Sequence, residues 1–290
     1  MKRRRGGPLE EGDALAEVDF AGMYRRQAEA ALAAYPPRSA EEWNRRAAAR
    51  SRREKGSDYA REFLARVDFD GVRTALDMGC GSGNLAIPLA KRLDRVWACD
   101  FAGEMLRLLA AAAEEAGVRR KIAVRRLAWA DDWSRVPRAD LVLCSRAMDP
   151  LDMPGALEKM CAKAKVRCCL TLHAGGFFVD GELREVLGRK TVPRPGYLYA
   201  VNLLAQMGYW ARVGFLETKG GLEYADEEEF VESVRWRVGE LSREEERRVR
   251  AYAARIPRGE DGRLRHRHDF QWAFLAWEVR GGRARRARSE

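Results

Sequence analysis

Long apolar runs are missing from this sequence of 290 residues. No stretch approaches the roughly 20 consecutive apolar residues that a membrane-spanning helix requires. The basic start Met1-Lys2-Arg3-Arg4-Arg5 is followed by Gly6-Gly7-Pro8-Leu9-Glu10-Glu11, where a signal peptide would continue with an apolar segment. The sequence therefore predicts a cytoplasmic protein with no membrane partner.

Metal-ligand patterns are also missing, although the chain holds six cysteines and three histidines. None of the cysteines has the paired spacing of a zinc site, and a chain of this length needs no disulfide framework. We expect no metal and six reduced thiols that pack as small apolar side chains. His266 and His268 lie among arginines, and we expect both to be solvated.

The net charge of +10 is concentrated at the two ends of the chain. Residues 1–60 hold 13 basic and 10 acidic groups, and residues 271–290 hold 5 and 2, so each end contributes +3. The remaining 210 residues contribute +4. Basic ends can attract nucleic acid, but they are usually solvated tails. A nucleic-acid partner is therefore left open and is not favoured.

The middle of the sequence alternates between short apolar runs and helical patterns. Five runs have the character of strands, and two more follow later: Thr74–Met78, Val96–Cys99, Ile122–Leu127, Leu141–Cys144, Val166–Leu172, Ala211–Leu216 and Phe270–Val279. Strands that alternate with helices of about ten residues are typical of βαβ units and a parallel sheet.

Helical segments flank and interrupt this pattern. Residues 1–60 form a predicted N-terminal helical extension, in which Trp43 (and Tyr59 close by) either covers a ligand as a lid or simply packs in the core. A helical insertion is predicted over about residues 222–258, with Asp226 and the Ser242–Glu245 pair as helix caps. The main domain then spans residues 61–280, and residues 281–290 form a basic tail.

One glycine-rich turn carries the chemistry. A strand runs directly into Asp77-Met78-Gly79-Cys80-Gly81-Ser82-Gly83, and a helical pattern follows. Glycines permit positive φ angles and let the backbone approach a ligand closely. Dinucleotide sites favour Gly-x-Gly-x-x-Gly, whereas here the third glycine comes one residue earlier. The carboxylate of Asp77 would repel a pyrophosphate but suits a cationic amine. An ordinary strand-to-helix turn is the alternative.

A second acidic residue follows at a suitable spacing. Asp100 ends the second predicted strand, 17 residues after Gly83. A carboxylate at that point can accept hydrogen bonds from both ribose hydroxyls. It can also cap the helix that follows, and the two roles are compatible. The spaced acid favours S-adenosylmethionine as the ligand.

The segments Thr74–Gly83 and Ala98–Asp100 resemble the first two motifs of class I S-adenosylmethionine-dependent methyltransferases. The resemblance implies S-adenosyl-L-methionine as cofactor and S-adenosyl-L-homocysteine as product. It also implies a cofactor site formed by the glycine turn, the second strand end, an adenine segment after the third strand, and the end of the fourth strand. The residues are Asp77, Gly79, Cys80, Gly81, Gly83, Asn84, Asp100, Phe101, Met105, Trp129, Ala130, Asp131 and Ser145.

The resemblance further implies an α/β fold, Rossmann-like and doubly wound. Its mostly parallel seven-stranded sheet would have an antiparallel last strand, and the helical insertion would lie between the last two strands. The branch that the sequence resembles most transfers methyl groups to small molecules. An RNA or protein methyltransferase and a non-catalytic S-adenosylmethionine-binding protein are the alternatives, and either a monomer or a homodimer is consistent with the sequence.

Residues after the fourth and fifth strands are expected to face the reacting methyl group. His173 is a candidate general base, or a histidine that is hydrogen-bonded at a strand end. Arg146 is a candidate for a forked contact with a substrate carboxylate or phosphate, or a partner of Asp149 or Asp152. Tyr197 and Tyr199 are candidate substrate contacts, or core packing.

Overall fold

The computed structural model describes residue 9 and residues 12–35, 37–45, 58–175, 179–190, 192–217, 222–267 and 271–279. The predicted basic tail, residues 281–290, lies outside the described residues, as does part of the predicted N-terminal extension. Within the described ranges, no helix is both long and apolar enough to cross a membrane.

The core of the fold is a seven-stranded sheet. Its strands are β1 (Thr74–Met78), β2 (Arg95–Asp100), β3 (Ile122–Arg126), β4 (Ala139–Ser145), β5 (Ala164–His173), β6 (Arg212–Glu217) and, last in the chain, β9 (Gln271–Glu278). The order across the sheet is β3-β2-β1-β4-β5-β9-β6. The first five strands run parallel, and β9 pairs antiparallel with both neighbours. The predicted mostly parallel sheet with an antiparallel last strand is confirmed.

Helices cover both faces of this sheet and precede it. They are α1 (Ala14–Glu17), α2 (Phe20–Ala34), α3 (Asp58–Arg66), α4 (Ala86–Arg92), α5 (Gly103–Glu115), α6 (Met153–Lys163), α7 (Gly181–Leu187) and α8 (Tyr197–Gln206). A short 3-10 helix spans Arg119–Lys121, and residues 40–45 are also helical. One buried layer includes Phe63, Leu89 and Leu109, and the other includes Tyr24 and Leu157.

The strand order reverses at β1, which determines where a ligand can bind. β2 lies on one side of β1 and β4 on the other, so the loops after β1 and β4 leave the sheet in opposite directions. A crevice at the carboxyl ends of the strands is the usual ligand site of such sheets. The register places Asp77 beside Ala98 on β2 and beside Leu143 on β4. The glycine turn therefore begins in this crevice.

A separate small core is formed by the segment between β6 and β9. It contains β7 (Leu222–Tyr224), α9 (Glu227–Val238), α10 (Arg243–Ala253) and β8 (Leu264–His266). Phe230 and Val249 are buried there together with Leu183 of α7. Asp226 caps α9, and Ser242 with Glu245 forms the predicted capping box of α10. A two-stranded sheet of β7 and β8, which the sequence did not predict, closes the insertion.

The expectation that His266 is solvated is wrong. Its side chain is 3% exposed because β8 directs it into the small core. Its ring stacks edge-to-face with Phe230, and its Nε2 atom lies 3.0 Å from the hydroxyl of Tyr252. The arginines on both sides of His266 are exposed, so the sequence alone did not indicate that His266 itself faces the small core. His268 lies outside the described residues.

Candidate active site

The three glycines of the turn all adopt positive φ angles. The values are 74° at Gly79, 52° at Gly81 and 98° at Gly83, a region that side chains with a Cβ atom enter at a cost. A Cβ atom at Gly79 would also lie 2.2 Å from the Cβ atom of Ala147, whereas one at Gly81 would meet nothing within 4 Å. The turn is therefore packed against the loop after β4 at Gly79 and open at Gly81.

Backbone hydrogen bonds attach the turn to the end of β2. The N–H groups of Gly79 and Cys80 donate to the carbonyl of Cys99 at 2.8 and 2.9 Å. The N–H of Gly81 donates to Oδ2 of Asp100 at 2.9 Å. The two predicted motifs thus form one rigid unit.

Asp77 is a buried carboxyl at the base of this unit. It is 1% exposed, and its Oδ2 atom has no hydrogen-bond partner among the described residues. Burial, and to a lesser extent the charge of Asp100, raises the pKa of Asp77 to about 8. An orphaned buried carboxyl is costly unless a ligand completes it. The ammonium group of a bound amino acid moiety has the required charge and donors.

Both carboxylate oxygens of Asp100 accept hydrogen bonds from backbone N–H groups. Besides the contact with Gly81, its Oδ1 atom accepts a hydrogen bond of 2.9 Å from the N–H of Ala102. Ala102 is the N-cap residue of α5, and this helix has no side-chain cap, so Asp100 orders the loop before the helix and does not have the predicted capping role. Each carboxylate oxygen can accept more than one hydrogen bond, so both can still accept ribose hydroxyls. Phe101 and Met105, half-buried and buried, follow on the same loop and helix.

A segment that we call the strap, residues 37–45, lies against the start of α5. Oδ1 of Asn44 accepts a hydrogen bond of 2.9 Å from the N–H of Glu104, and Trp43 packs against Ala102 and Met105. Trp43 also contacts Trp236 of the insertion edge-to-face, with ring centroids 5.1 Å apart. The strap therefore connects the cofactor half of the molecule to the insertion.

The loop after β3 holds the predicted adenine segment. Trp129 is half-buried, while Ala130 and Asp131 are exposed. The indole N–H of Trp129 donates to the carbonyl of Ala147 at 2.8 Å. Oδ2 of Asp131 accepts from the N–H of Ala128 at 2.8 Å, so this carboxylate closes its own loop.

Ser145 lies in a hydroxyl cluster that sequence reasoning missed. The hydroxyl of Tyr59 on α3 lies 2.7 Å from both Ser145 Oγ and Thr171 Oγ1. The Oγ1 atom of Thr171 also accepts a bond of 3.1 Å from the N–H of Arg146. Burial raises the pKa of Tyr59, so it remains a neutral phenol whose hydroxyl can both donate and accept. No periodicity or spacing pairs residues 86 positions apart, and only the folded sheet brings them together.

Arg146 lies at the end of β4 in an unusual conformation. Its φ of 56° makes it the one non-glycine residue with positive φ in the described part of the chain. Its guanidinium carbon lies 4.2 Å from the ring centroid of Tyr59. The two proposed acidic partners are occupied elsewhere: Asp149 forms a salt bridge with Arg194, and Asp152 caps α6 through the N–H of Gly155.

His173 ends β5 beside the same cluster. Its ring contacts Trp272 edge-to-face at 5.5 Å, and its Nδ1 atom accepts a hydrogen bond of 3.1 Å from the N–H of Gly175. Burial, followed by the charge of Arg194, lowers the pKa of His173 to about 4. The imidazole is therefore neutral at physiological pH, with its Nδ1 lone pair engaged.

The two candidate tyrosines of α8 have different surroundings. Tyr199 donates to Oε1 of Gln27 at 2.7 Å and contacts Tyr24 edge-to-face, so it fastens α8 to α2. Tyr197 packs edge-to-face on Phe215 of β6, a residue that is 42% exposed. Of the two, Tyr197 has an apolar neighbour that a ligand can reach.

Comparisons with known proteins agree with this geometry. Residues 75–166 match the family described as "Methyltransferase domain". A protein of Haemophilus influenzae, described as an uncharacterized protein, is 34% identical over 226 residues, which cover 78% of this chain and 83% of that protein. The crystal structure of a proposed methyltransferase from Bacillus halodurans is 15% identical, with a TM-score of 0.52 over 77% of this chain and 99% of that chain. The latter likeness shows a shared fold.

Proposed function

We propose that this chain, which belongs to the class I S-adenosylmethionine-dependent methyltransferase family, transfers the methyl group to a small-molecule acceptor that carries an acidic group. S-adenosylmethionine is the cofactor, and S-adenosylhomocysteine is the product. The observation that carries the acidic acceptor is the position of Arg146, which lies over Tyr59 at the carboxyl end of β4.

The residues at the crevice fit the cofactor. Asp77 would pair with its ammonium group, since Oδ2 of this buried carboxyl has no hydrogen-bond partner in the described part of the chain. Asp100 would accept the ribose hydroxyls, and the open surface of Gly81 leaves room beside the backbone. Residues 129–131 would lie along the adenine. When bound, the cofactor supplies an electrophilic methyl group on a sulfonium, so the protein must align the acceptor and exclude water.

Arg146 would align the acceptor. A non-glycine residue with positive φ costs about 1–2 kcal/mol, and such strain is concentrated at functional positions. Tyr59 supports the guanidinium from below, and Ser145 and Thr171 fix Tyr59 in turn. Arginine stacks on aromatic rings and is the side chain that makes forked contacts with carboxylate and phosphate groups.

The strap supports a small acceptor rather than a macromolecule. Arg38 donates to the carbonyls of Arg235 and Trp236 at 3.0 Å, and its guanidinium carbon lies 5.0 Å from the Trp236 ring centroid. These contacts fasten the strap to the end of α9 while Asn44 fastens it to α5. A chain segment that spans the cofactor half and the insertion restricts access, which suits a small molecule and supports the predicted lid.

A methyl-transfer assay tests the proposal. Cell extract is separated into small-molecule, RNA and protein fractions, and each is incubated with the enzyme and S-adenosylmethionine labelled in its methyl group. We expect label in small molecules that an anion-exchange resin retains. Label confined to RNA or protein would contradict the small acceptor, and label only in neutral or cationic small molecules would contradict the acidic group.

Two matched variants test Arg146 within that assay. Arg146→Met should abolish labelling without changing the affinity for S-adenosylmethionine. Arg92→Met is the control, because the guanidinium of Arg92 lies in the same way over the ring of Phe69, at 3.8 Å and on α4. We expect this control to label normally. Equal labelling by both variants would contradict the role of Arg146.

A further inference from the structure

One lysine of α6 reaches the loop that carries the predicted adenine contacts. We call residues 128–133 the adenine loop. It is closed on itself, because the N–H of Asp131 donates to the carbonyl of Ala128 at 3.3 Å and the indole N–H of Trp133 donates to the same carbonyl at 3.1 Å. Its short internal bonds define a turn, but they do not attach that turn to the rest of the fold.

Lys159 supplies one attachment of this turn to α6. Its Nζ atom donates to the carbonyl of Trp129 at 2.5 Å and to the carbonyl of Asp131 at 3.0 Å. The ammonium group therefore holds the carbonyls on both sides of Ala130. It also lies 5.9 Å from the ring centroid of Trp133, which adds a weak cation–π contact. Hydrogen bonds with a charged donor are roughly twice as strong as neutral ones.

The adenine loop in turn contacts the rest of the cofactor site. Trp129 stacks on Trp133 with ring centroids 5.2 Å apart and donates its indole N–H to the carbonyl of Ala147. Ala147 is the residue that a Cβ atom at Gly79 would strike. Lys159 thus fixes one end of a chain of contacts that runs from the adenine loop to the glycine turn.

From this geometry we propose that Lys159 is a positioning residue for the adenine of the cofactor. It acts through the backbone of Trp129 and Asp131 and does not touch the ligand. This inference rests on the cofactor part of the proposed function and is independent of the acceptor. Without Lys159 two carbonyls lose a charged donor, so the adenine loop samples other conformations. The free energy of ordering the loop then reduces the affinity for the cofactor.

Lys163 provides a matched control one turn further along α6. Its Nζ atom donates to the carbonyls of Ser134 and Val136 at 3.2 and 2.8 Å. The two lysines therefore make the same number and type of bonds, and both are half-buried. The carbonyls differ, because those held by Lys163 lie beyond the adenine loop, and Lys159 also has its contact with the Trp133 ring.

The test is the dissociation constant of S-adenosylhomocysteine, measured by calorimetry, together with the melting temperature of each variant. We expect Lys159→Met to weaken binding by about tenfold or more, as loss of hydrogen bonds to a charged group predicts. Lys163→Met should lower the melting temperature to a similar extent and keep the wild-type affinity. Lys159→Arg, which keeps charged donors, should restore most of the affinity.

Wild-type affinity in Lys159→Met, or equal weakening in both methionine variants, would overturn the proposal. If Lys159→Met does not fold, we replace it with Lys159→Gln, which has one neutral amide donor group. Wild-type affinity in Lys159→Gln would also overturn the proposal. If the wild-type protein binds S-adenosylhomocysteine but labels no small acceptor, only the acceptor proposal is refuted. The role of Lys159 is then still decided by the affinities of the lysine variants.

Discussion

Oδ2 of Asp100 accepts a hydrogen bond of 2.9 Å from the backbone N–H of Gly81. This contact joins the end of β2 to the centre of the glycine turn, which lies 19 residues earlier in the chain. Asp100 therefore shapes the turn, in addition to the contacts with the ribose that we propose for it. A change at Asp100 should affect both functions together.

We expect Asp100→Ala to weaken S-adenosylmethionine binding by at least about tenfold, since two backbone N–H groups and the ribose lose a charged acceptor. Equilibrium dialysis with labelled cofactor measures the effect. Asp94→Ala is the control, because Asp94 forms an exposed salt bridge with Arg73 just before β2. Unchanged affinity in Asp100→Ala, or an equal loss in the control, would exclude the assigned role.

Stability should respond to the pKa of Asp77. A folded-state pKa of about 8 lies above the unfolded value of about 3.9, so between these values the folded protein holds a proton that the unfolded chain releases. The contribution of Asp77 to the free energy of unfolding therefore decreases as pH rises from about 4 to about 8. Denaturation of the protein without cofactor should show this decrease, and Asp77→Asn should lack it. A wild type and variant with parallel pH profiles would contradict the buried neutral carboxyl.

Cofactor binding should show the opposite pH response. An ion pair with the ammonium group requires the ionised form of Asp77, which becomes more populated as pH approaches 8. We expect the affinity for S-adenosylmethionine to rise between pH 6 and about 7 with release of a proton, a window that lies below the ordinary α-amino pKa of about 7.7–8.0. Calorimetry in buffers of different ionisation enthalpy measures the released proton. Binding without proton release would argue against the pair.

Two glycines of one turn should respond differently to alanine. Gly79→Ala meets both a positive φ and the Cβ atom of Ala147, so we expect a loss of about 2–4 kcal/mol in the free energy of unfolding. Gly81→Ala meets the positive φ alone, for about 1–2 kcal/mol. Urea denaturation ranks the two variants. A Gly81→Ala protein less stable than Gly79→Ala would show that the turn does not pack as described.

Tyr59→Phe removes a hydroxyl that bridges Ser145 and Thr171. We expect a loss of about 1–3 kcal/mol, because buried hydroxyl groups lose their partner. The aromatic ring beneath Arg146 remains, so the affinity for the cofactor should stay near that of the wild type. Thermal unfolding and cofactor titration together measure these effects. A variant as stable as the wild type would show that the bridge contributes nothing to folding.

We expect His173 to add no pH dependence to the activity in the neutral range. A base must be deprotonated to act, and with a pKa of about 4 the imidazole is deprotonated at every pH above about 5.5. We therefore expect kcat/KM for the acceptor to lack a limb from His173 between pH 5.5 and 8. A limb near pH 6.5 that disappears in His173→Gln would restore the original proposal of a base with an ordinary pKa.

The strand ends and the glycine turn of the candidate cofactor site were predictable from sequence because they depend on local features. Thr74–Met78 is a strand with the predicted bounds, and the glycines have the positive φ that their turn requires. Asp100 ends β2 as the spacing indicated. Strand periodicity, glycine conformation and short-range spacing are properties of contiguous residues.

The rest of the candidate site depends on contacts between distant segments, which no local pattern encodes. Tyr59 meets Thr171 across 112 positions, and Lys159 reaches Trp129 across 30. The strands β7 and β8 were missed because each has only three residues and includes charged ones. The burial of His266 was missed because its charged neighbours in the sequence face away from the core that it enters.

Calorimetric titration of the wild-type protein with S-adenosylmethionine, with NAD in a parallel titration, tests the central claim most directly. The buried carboxyl of Asp77 beside an open glycine turn predicts saturable binding of S-adenosylmethionine and no binding of NAD, because the ammonium group of S-adenosylmethionine can pair with that carboxyl once it ionises, whereas the pyrophosphate of NAD offers it no donor. Folded protein that gives no heat with S-adenosylmethionine, or that binds NAD equally well, would contradict the account.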